Sequence, residues 1–177
     1  LIVGAGGIGI ETARLLKALR MRVVATDARR TEPSDWLDAL YPASELDAQL
    51  PEADFVIVTI PHTPSTEGLF DASKFALMKN SGIFINIGRG MTTRLDDLDK
   101  ALRTQQIAGA SLDVFETEPL PANHPLWDAP NTILTPHVAV AEAAYLDERR
   151  LDVISTNVRR FLDGEPLLNV VDKANWF

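Results

Sequence analysis

An arginine, a histidine and nearby carboxylates in this sequence are of types that together handle a carbonyl compound. "NIGRG" sets Arg89 between two glycines, just past an apolar run. "LDVFETEP" carries Asp113 and, five residues on, Glu118 ahead of a proline. "LTPH" sets His137 directly after the last apolar run. An arginine can grip a carboxylate through two parallel hydrogen bonds. A histidine can give a proton to a carbonyl oxygen as hydride arrives at its carbon, and take it back in the reverse reaction; such help is worth about 10²–10⁴ in rate. A glutamate bonded to the far ring nitrogen orients the imidazole and supports its protonated form. Taken singly, each reads as a surface side chain: an arginine in a tight turn, two surface acids, a structural histidine. Their positions in the fold decide between these readings.

A second constellation opens the chain. "GAGGIG" gives Gly4-x-Gly6-x-x-Gly9 between a short apolar run and a helix-like segment. The first glycine permits a tight turn, the second lets a pyrophosphate approach the backbone, and the third lets helix and strand pack closely. The helix N-terminus then offers N–H groups and partial positive charge to the phosphates. Asp27 follows 18 residues after Gly9, at the end of the second apolar run. A carboxylate there accepts hydrogen bonds from both ribose hydroxyls of adenosine and repels a 2′-phosphate, which favours NAD over NADP. Arg29 and Arg30 sit close behind; they either partly offset this or belong to a solvated turn.

The elements that must position these residues alternate. Strands are expected at 1–3, 22–26, 54–60, 83–87, 108–114 and 132–135. Segments with apolar residues at helical spacing lie between them: "IETARLLKALR", "SELDAQL", "DASKFALMK" and "LDDLDKALRTQQ". Ser44 and Asp71 read as N-caps, and Pro51 closes the helix that Ser44 would open. A last helix is expected over roughly 140–163, ended by Gly164. Near-continuously apolar strands are those of a parallel sheet buried on both faces. The expectation is therefore an α/β fold with a doubly wound parallel sheet, Rossmann-like, with right-handed crossovers. In such a sheet, ligands bind beyond the carboxyl ends of the strands. The glycine loop, Asp27, Arg89, Asp113 with Glu118, and His137 each follow a different strand, so they converge on one edge. The aperiodic stretch 113–131 reads as a long functional loop, with His124 as its anchor and Trp127 as an apolar plug. His62, between prolines, is assigned to the adenine side, and "DDLDK" to a solvated helix face.

Composition narrows the class. Acids outnumber Lys and Arg by 25 to 17, a net charge of −8, which argues against a nucleic-acid partner. There is no cysteine, hence no disulfide framework or thiolate chemistry, as fits a reducing compartment. No apolar run is long enough to span a bilayer, the best, "FVIVTI", stopping at Pro61. The expectation is a cytoplasmic protein with no membrane partner and no metal.

With these motifs in order, the sequence resembles the D-isomer-specific 2-hydroxyacid dehydrogenase family. "GAGGIG", "PHTPSTEGLF", "LMKNSGIFINIGRG" and "AGASLDVFETEPLPANHPLWDAPNTILTPH" carry the resemblance over nearly the whole chain. It implies an NAD-dependent oxidoreductase acting on a small D-2-hydroxy acid or 2-oxo acid, working as a homodimer. By resemblance, Arg89 binds the substrate carboxylate and His137 with Glu118 forms the acid–base pair. Gly4, Gly6, Gly7, Ile8 and Gly9 form the cofactor's phosphate loop, in which Gly7 and Ile8 offer backbone to the pyrophosphate, with Asp27 on the ribose. Ile60 and Pro61 lie by the adenosine half. Ile87, Gly88 and Arg89 line the nicotinamide side, where Asp113 holds the carboxamide, and His137 and Ala139 complete the cofactor contacts. Glu118 argues against the formate-dehydrogenase branch, which pairs its histidine with glutamine.

Two departures stand out. The family often follows its histidine with paired small residues including glycine, whereas this sequence has Val138, Ala139 and Val140. Asp27 is followed by Ala28 rather than the frequent proline. The resemblance also implies a second domain, built from a segment before the glycine fingerprint and from the C-terminal tail. Residues 1–140 are accordingly read as the NAD-binding domain. Residues 141–177 are read as connecting helix and tail of the substrate domain, whose N-terminal part is expected outside this chain. A non-catalytic NAD-binding module like the corepressors that resemble this family, and a bare cofactor domain without turnover, are the competing readings.

Overall fold

The computed structural model describes residues 1–140 and 146–173. It divides into two compact units, Leu1–His137 and Val138–Phe177.

The first unit is built on seven strands: β1 (Ile2–Val3), β2 (Val24–Asp27), β3 (Ala39–Pro42), β4 (Phe55–Val58), β5 (Ile83–Asn86), β6 (Gly109–Leu112) and β7 (Thr132–Leu134). They form one sheet in the order β3-β2-β1-β4-β5-β6-β7, and every pairing is parallel. The doubly wound expectation is met. The strand at 39–42 is an addition: "ALYP" lies at the sheet edge, half-buried over its first three residues and ended by proline. Only its pairing with β2 makes it a strand.

Four helices of this unit are α1 (Gly7–Ala18), α2 (Leu46–Gln49), α3 (Ala72–Leu77) and α4 (Leu95–Arg103). The period-2 alternation of each strand supplies a core to both faces. On β1, Ile2 packs with Ala13 of α1, Val23, Ala25 and Leu37. Its neighbour Val3 joins the larger core of Leu50, Phe70, Phe75, Phe84, Leu98 and Leu112. Phe84 anchors that core, with ring centroids 4.9 Å from Phe70 and 5.3 Å from Phe75, the latter edge-on.

Local signals were read with mixed success. Asp71 caps α3, accepting from the N–H groups of Ser73 and Lys74. Ser44 does not cap: it lies inside a 3-10 turn, Ala43–Glu45, preceded by Pro42. The proline's fixed φ starts that turn, and Pro51 falls in a second 3-10 turn, just beyond the end of α2. "DDLDK" is only partly solvated, because Leu95 and Leu98 of α4 are buried and Asp97 accepts the N–H of Ala72.

In the second unit, α5 runs Leu146–Leu162. Residue 140 lies in a turn, and 141–145, where the expected helix would have begun, fall outside the described residues. Gly164 turns the chain with φ +71. Asn157 then holds the following segment by bonding both the N–H and the carbonyl of Leu168. Ile154, Val158 and Phe161, at helical spacing, are 60%, 55% and 74% exposed.

Candidate active site

In-register parallel pairing puts all strand ends at one edge: Val3 pairs with Thr26 and Val58, and Asn86 pairs with both Val58 and Leu112. Strand order reverses at β1, whose neighbours β2 and β4 lead away in opposite directions. The crevice beyond that point is where a doubly wound sheet takes its ligand.

The glycine loop spans this crevice. Gly4 holds φ +104, and its carbonyl accepts from Thr59 Oγ1 at 2.7 Å. Gly9 is dictated by packing: a Cβ there would stand 2.0 Å from the Gly4 carbonyl oxygen. Gly6 and Gly7 differ, since a Cβ on either would meet nothing within 4 Å. The fold therefore does not need their missing side chains. Space over the N-terminus of α1, where Gly6 provides no side-chain cap, suits a pyrophosphate seated on backbone N–H groups. The loop fits the dinucleotide that its sequence suggests.

Asp27 ends β2 with its carboxylate engaged by backbone. Oδ2 accepts from Ala5 N at 2.7 Å, and Oδ1 accepts from Arg29 N and Arg30 N, both at 2.8 Å. Burial works against its charge, but these three N–H groups and the Arg30 guanidinium outweigh it and hold the carboxyl below its usual range. Arg30 Nε also donates to the Ala5 carbonyl at 3.0 Å, so this arginine lies along the glycine loop rather than in a detached solvated turn.

Arg89 follows β5 and is exposed; its Nη1 donates to the Gly88 carbonyl at 2.8 Å. The turn that presents it is built by Asn86, fully buried at the strand end. Asn86 Oδ1 accepts from Gly88 N at 3.0 Å, and Nδ2 reaches the Arg89 carbonyl, Thr92 Oγ1 and Thr93 Oγ1 at 3.0–3.2 Å. Sequence reasoning missed Asn86. The signal was present: one amide closing the apolar run "IFIN", in a place where a buried polar group must be satisfied.

The acid loop follows β6. Asp113 is 6% exposed, its N–H bonds the Asn86 carbonyl at 3.1 Å, and its Oδ1 accepts from Thr135 Oγ1 at 2.6 Å. Glu118 turns back on itself, accepting from Phe115 N at 3.0 Å through Oε1. Its Oε2 meets His137 Nδ1 at 2.7 Å. Burial raises the Glu118 pKa, but the bonds from His137 and Phe115, with the charges of His137 and Arg89, prevail and keep it below the usual glutamate range. His137 is in the left-handed region, φ +54, which few non-glycine residues adopt. With Nδ1 engaged, Nε2 is the nitrogen that can serve a substrate. Arg89, Glu118 and His137 thus follow three neighbouring strands, with Glu118 bonded to His137 and within reach of the Arg89 charge.

Not every expectation holds. His124 caps the 3-10 turn Pro125–Asp128 inside the long loop, its Nδ1 accepting from Leu126 N at 3.2 Å. Trp127 is not a plug: it is 49% exposed, and its indole N–H donates to the Pro121 carbonyl at 2.9 Å. Leu126, fully buried, fills that role. Trp127 instead helps wall a cavity of about 490 Å³ with Phe115, Leu120, Leu134, Glu118 and His137. Ile60 and Pro61 are half-buried after β4, as are Ile87 after β5 and, more deeply, Gly88. His62 is exposed, 3.5 Å from Glu67. Ala139 belongs to the second unit. Among the described residues, no helix is long and apolar enough to cross a membrane.

Residues 1–139 match the NAD binding domain of D-isomer specific 2-hydroxyacid dehydrogenases. A hydroxypyruvate reductase of Blautia hydrogenotrophica is 37% identical over 97% of this chain and 52% of its own length. The human glyoxylate reductase/hydroxypyruvate reductase is 37% identical over 94% of this chain and 50% of its own. The chain thus spans about half the length of the curated relatives it matches. A crystal structure of a D-isomer specific 2-hydroxyacid dehydrogenase from Xanthobacter autotrophicus, in complex with NADPH and MES, superposes with a TM-score of 0.91. It is 34% identical, over 99% of this chain and 71% of that one. An NADPH-dependent glyoxylate/hydroxypyruvate reductase from Sinorhizobium meliloti, with NADP and sulfate, gives a TM-score of 0.89 at 36% identity. It covers 99% of this chain and 56% of that one.

Proposed function

The chain belongs to the D-isomer specific 2-hydroxyacid dehydrogenase family, and from that premise we propose that it is the cofactor-binding part of an enzyme reducing small 2-oxo acids to D-2-hydroxy acids. The observation that carries the reading is the 2.7 Å contact between His137 and Glu118, at the sheet edge where the glycine loop and Arg89 also lie. A bound nicotinamide dinucleotide supplies or accepts the hydride at the substrate's second carbon. Arg89 grips the substrate carboxylate, and His137 Nε2 gives its proton to the carbonyl oxygen and recovers it in the reverse direction. Glu118 keeps the imidazole oriented and balances its charge. The loop of Gly4, Gly6, Gly7, Ile8 and Gly9 takes the pyrophosphate, on the backbone of Gly7 and Ile8, and Asp27 takes the adenosine ribose. Ile60, Pro61, Ile87, Gly88, Asp113 and Ala139 complete the cofactor contacts.

In this reading NAD(H) is the preferred cofactor, because Asp27 stays ionised where a 2′-phosphate would sit. The NADPH and NADP complexes of two similar structures favour the other choice, with Arg30 as the phosphate's partner. The exposed apolar stripe of α5 supports assigning the second unit to the substrate domain, packed against protein that the longer relatives contain. A cytoplasmic homodimer completes the proposal on resemblance alone.

The test is reduced-cofactor oxidation by the complete protein with glyoxylate, hydroxypyruvate, pyruvate and phenylpyruvate. Turnover with at least one of them is expected. Tight NADH binding with no turnover across a broad panel would replace the enzyme by a binding module of the corepressor kind.

A further inference from the structure

Helix α4 begins without a cap of its own. Arg94 stands at its N-cap, and no side chain there accepts a hydrogen bond. The N–H of Leu95 is satisfied from elsewhere in the chain: Glu116 Oε2 accepts it at 2.7 Å. The other Glu116 oxygen meets Arg94 Nη1 at 3.2 Å, and the side chain is only 26% exposed. Arg94 in turn lies 3.9 Å from Glu67, which lies 3.5 Å from His62.

Glu116 stands two residues before Glu118, in a segment tied repeatedly to the turn that presents Arg89. Asp113 N bonds the Asn86 carbonyl. The Phe115 backbone presses on Gly90 so closely that a Cβ there would stand 1.8 Å from the Phe115 carbonyl oxygen. Phe115 N then holds Glu118 Oε1. The Glu116–Leu95 bond is the last of these ties before Glu118, and it is made by the Glu116 side chain.

We propose that Glu116 is a positioning residue for the acid–base pair: by capping α4 from the loop, it fixes that loop on the Arg89 turn and so aims Glu118 at His137. A carboxylate at a helix N-terminus combines a charge-assisted bond with a favourable dipole. It therefore outweighs the exposed Arg94 ion pairs, which reinforce it weakly. This assignment rests on the roles given to Glu118 and His137 under the proposed function, but the aim of Glu118 can be measured without turnover.

The experiment compares Glu116→Ala with the double variant Glu116→Ala/Arg94→Ser in the complete protein. It follows kcat, cofactor affinity, unfolding temperature and the titration of the Glu118 carboxyl by carbon NMR. Glu116→Ala is expected to lower kcat by roughly tenfold or more, the scale of a misplaced catalytic group, with cofactor affinity unchanged. The Glu118 titration should move up toward the ordinary glutamate range. The double variant gives α4 a cap within the helix, so its unfolding temperature recovers while kcat and the Glu118 titration do not. Recovery of kcat together with stability would reduce Glu116 to a helix cap and overturn the proposal. So would a Glu116→Ala protein with wild-type kcat and Glu118 titration. If the wild type turns over no 2-oxo acid, the enzyme reading fails separately, and the Glu118 titration alone decides: unmoved, it overturns the positioning role.

Discussion

His137 Nδ1 and Glu118 Oε2 lie 2.7 Å apart although 19 residues separate them in sequence. The contact joins the ends of β6 and β7, and leaves the opposite face of the imidazole for chemistry. If that pair does the proton transfer, His137→Ala in the complete protein lowers kcat by about 10²–10⁴ with little change in NADH affinity. Equal loss of both, read from steady-state kinetics and NADH fluorescence titration, would refute the assignment.

The glycines of the phosphate loop separate fold from function. At Gly6 an added Cβ has open space, so Gly6→Ala should leave the unfolding temperature unchanged while weakening dinucleotide binding severalfold or more. At Gly9 the Cβ would collide with the Gly4 carbonyl. Gly9→Ala should therefore destabilise the protein by about 1–3 kcal/mol, the usual cost of overpacking. Thermal unfolding alongside calorimetric NADH titration distinguishes the two.

Asp27 should set cofactor choice. Asp27→Ser removes the ionised carboxyl from the end of β2 and leaves Arg30 beside the loop, so the ratio of kcat/KM for NADH over NADPH should fall by about tenfold or more. A ratio that does not move would dismiss Asp27 as the discriminating group.

Acid should weaken the fold through Asp27 and Glu118. Both carboxyls titrate below their ordinary values of 3.8 and 4.5. Their contribution is thus complete above those values and is lost as pH falls through the lower folded ones. The unfolding temperature should drop as pH falls below about 4.5, and less steeply in Asp27→Asn. An equal slope in the variant would exclude Asp27 from the effect.

Asn86 should couple stability to substrate binding. Asn86→Ala leaves buried partners unsatisfied, at about 1–3 kcal/mol, and loosens the turn beneath Arg89. The KM for the 2-oxo acid should rise while NADH affinity holds; an unchanged KM would confine Asn86 to stability.

Much of the site was legible because its residues stand where apolar runs end. Once "IFINI" and "TILT" read as parallel strands, Arg89 and His137 necessarily share an edge. Supporting residues were harder to find. Thr135 and Asn86 look like ordinary polar residues until the fold buries their partners, and Trp127 looks apolar until its N–H finds the Pro121 carbonyl. The edge strand Ala39–Pro42 is a short stretch ended by proline, and only its pairing with β2 marks it as a strand.

By itself the sequence determined the sheet, the phosphate loop and the chemical identities of Arg89, Glu118 and His137, since periodicity and glycine placement act over short spans of chain. Only the tertiary structure decided what those groups face. The Glu118 carboxyl is held below the usual glutamate range by its bonds to His137 and Phe115, and Arg89 is presented by an asparagine that bonds four groups around it. α4 is capped by a glutamate from the loop that carries Glu118. The Glu118–His137 and Glu116–Leu95 bonds join positions 19 and 21 apart in sequence, and packing sets such distances only when the chain is folded.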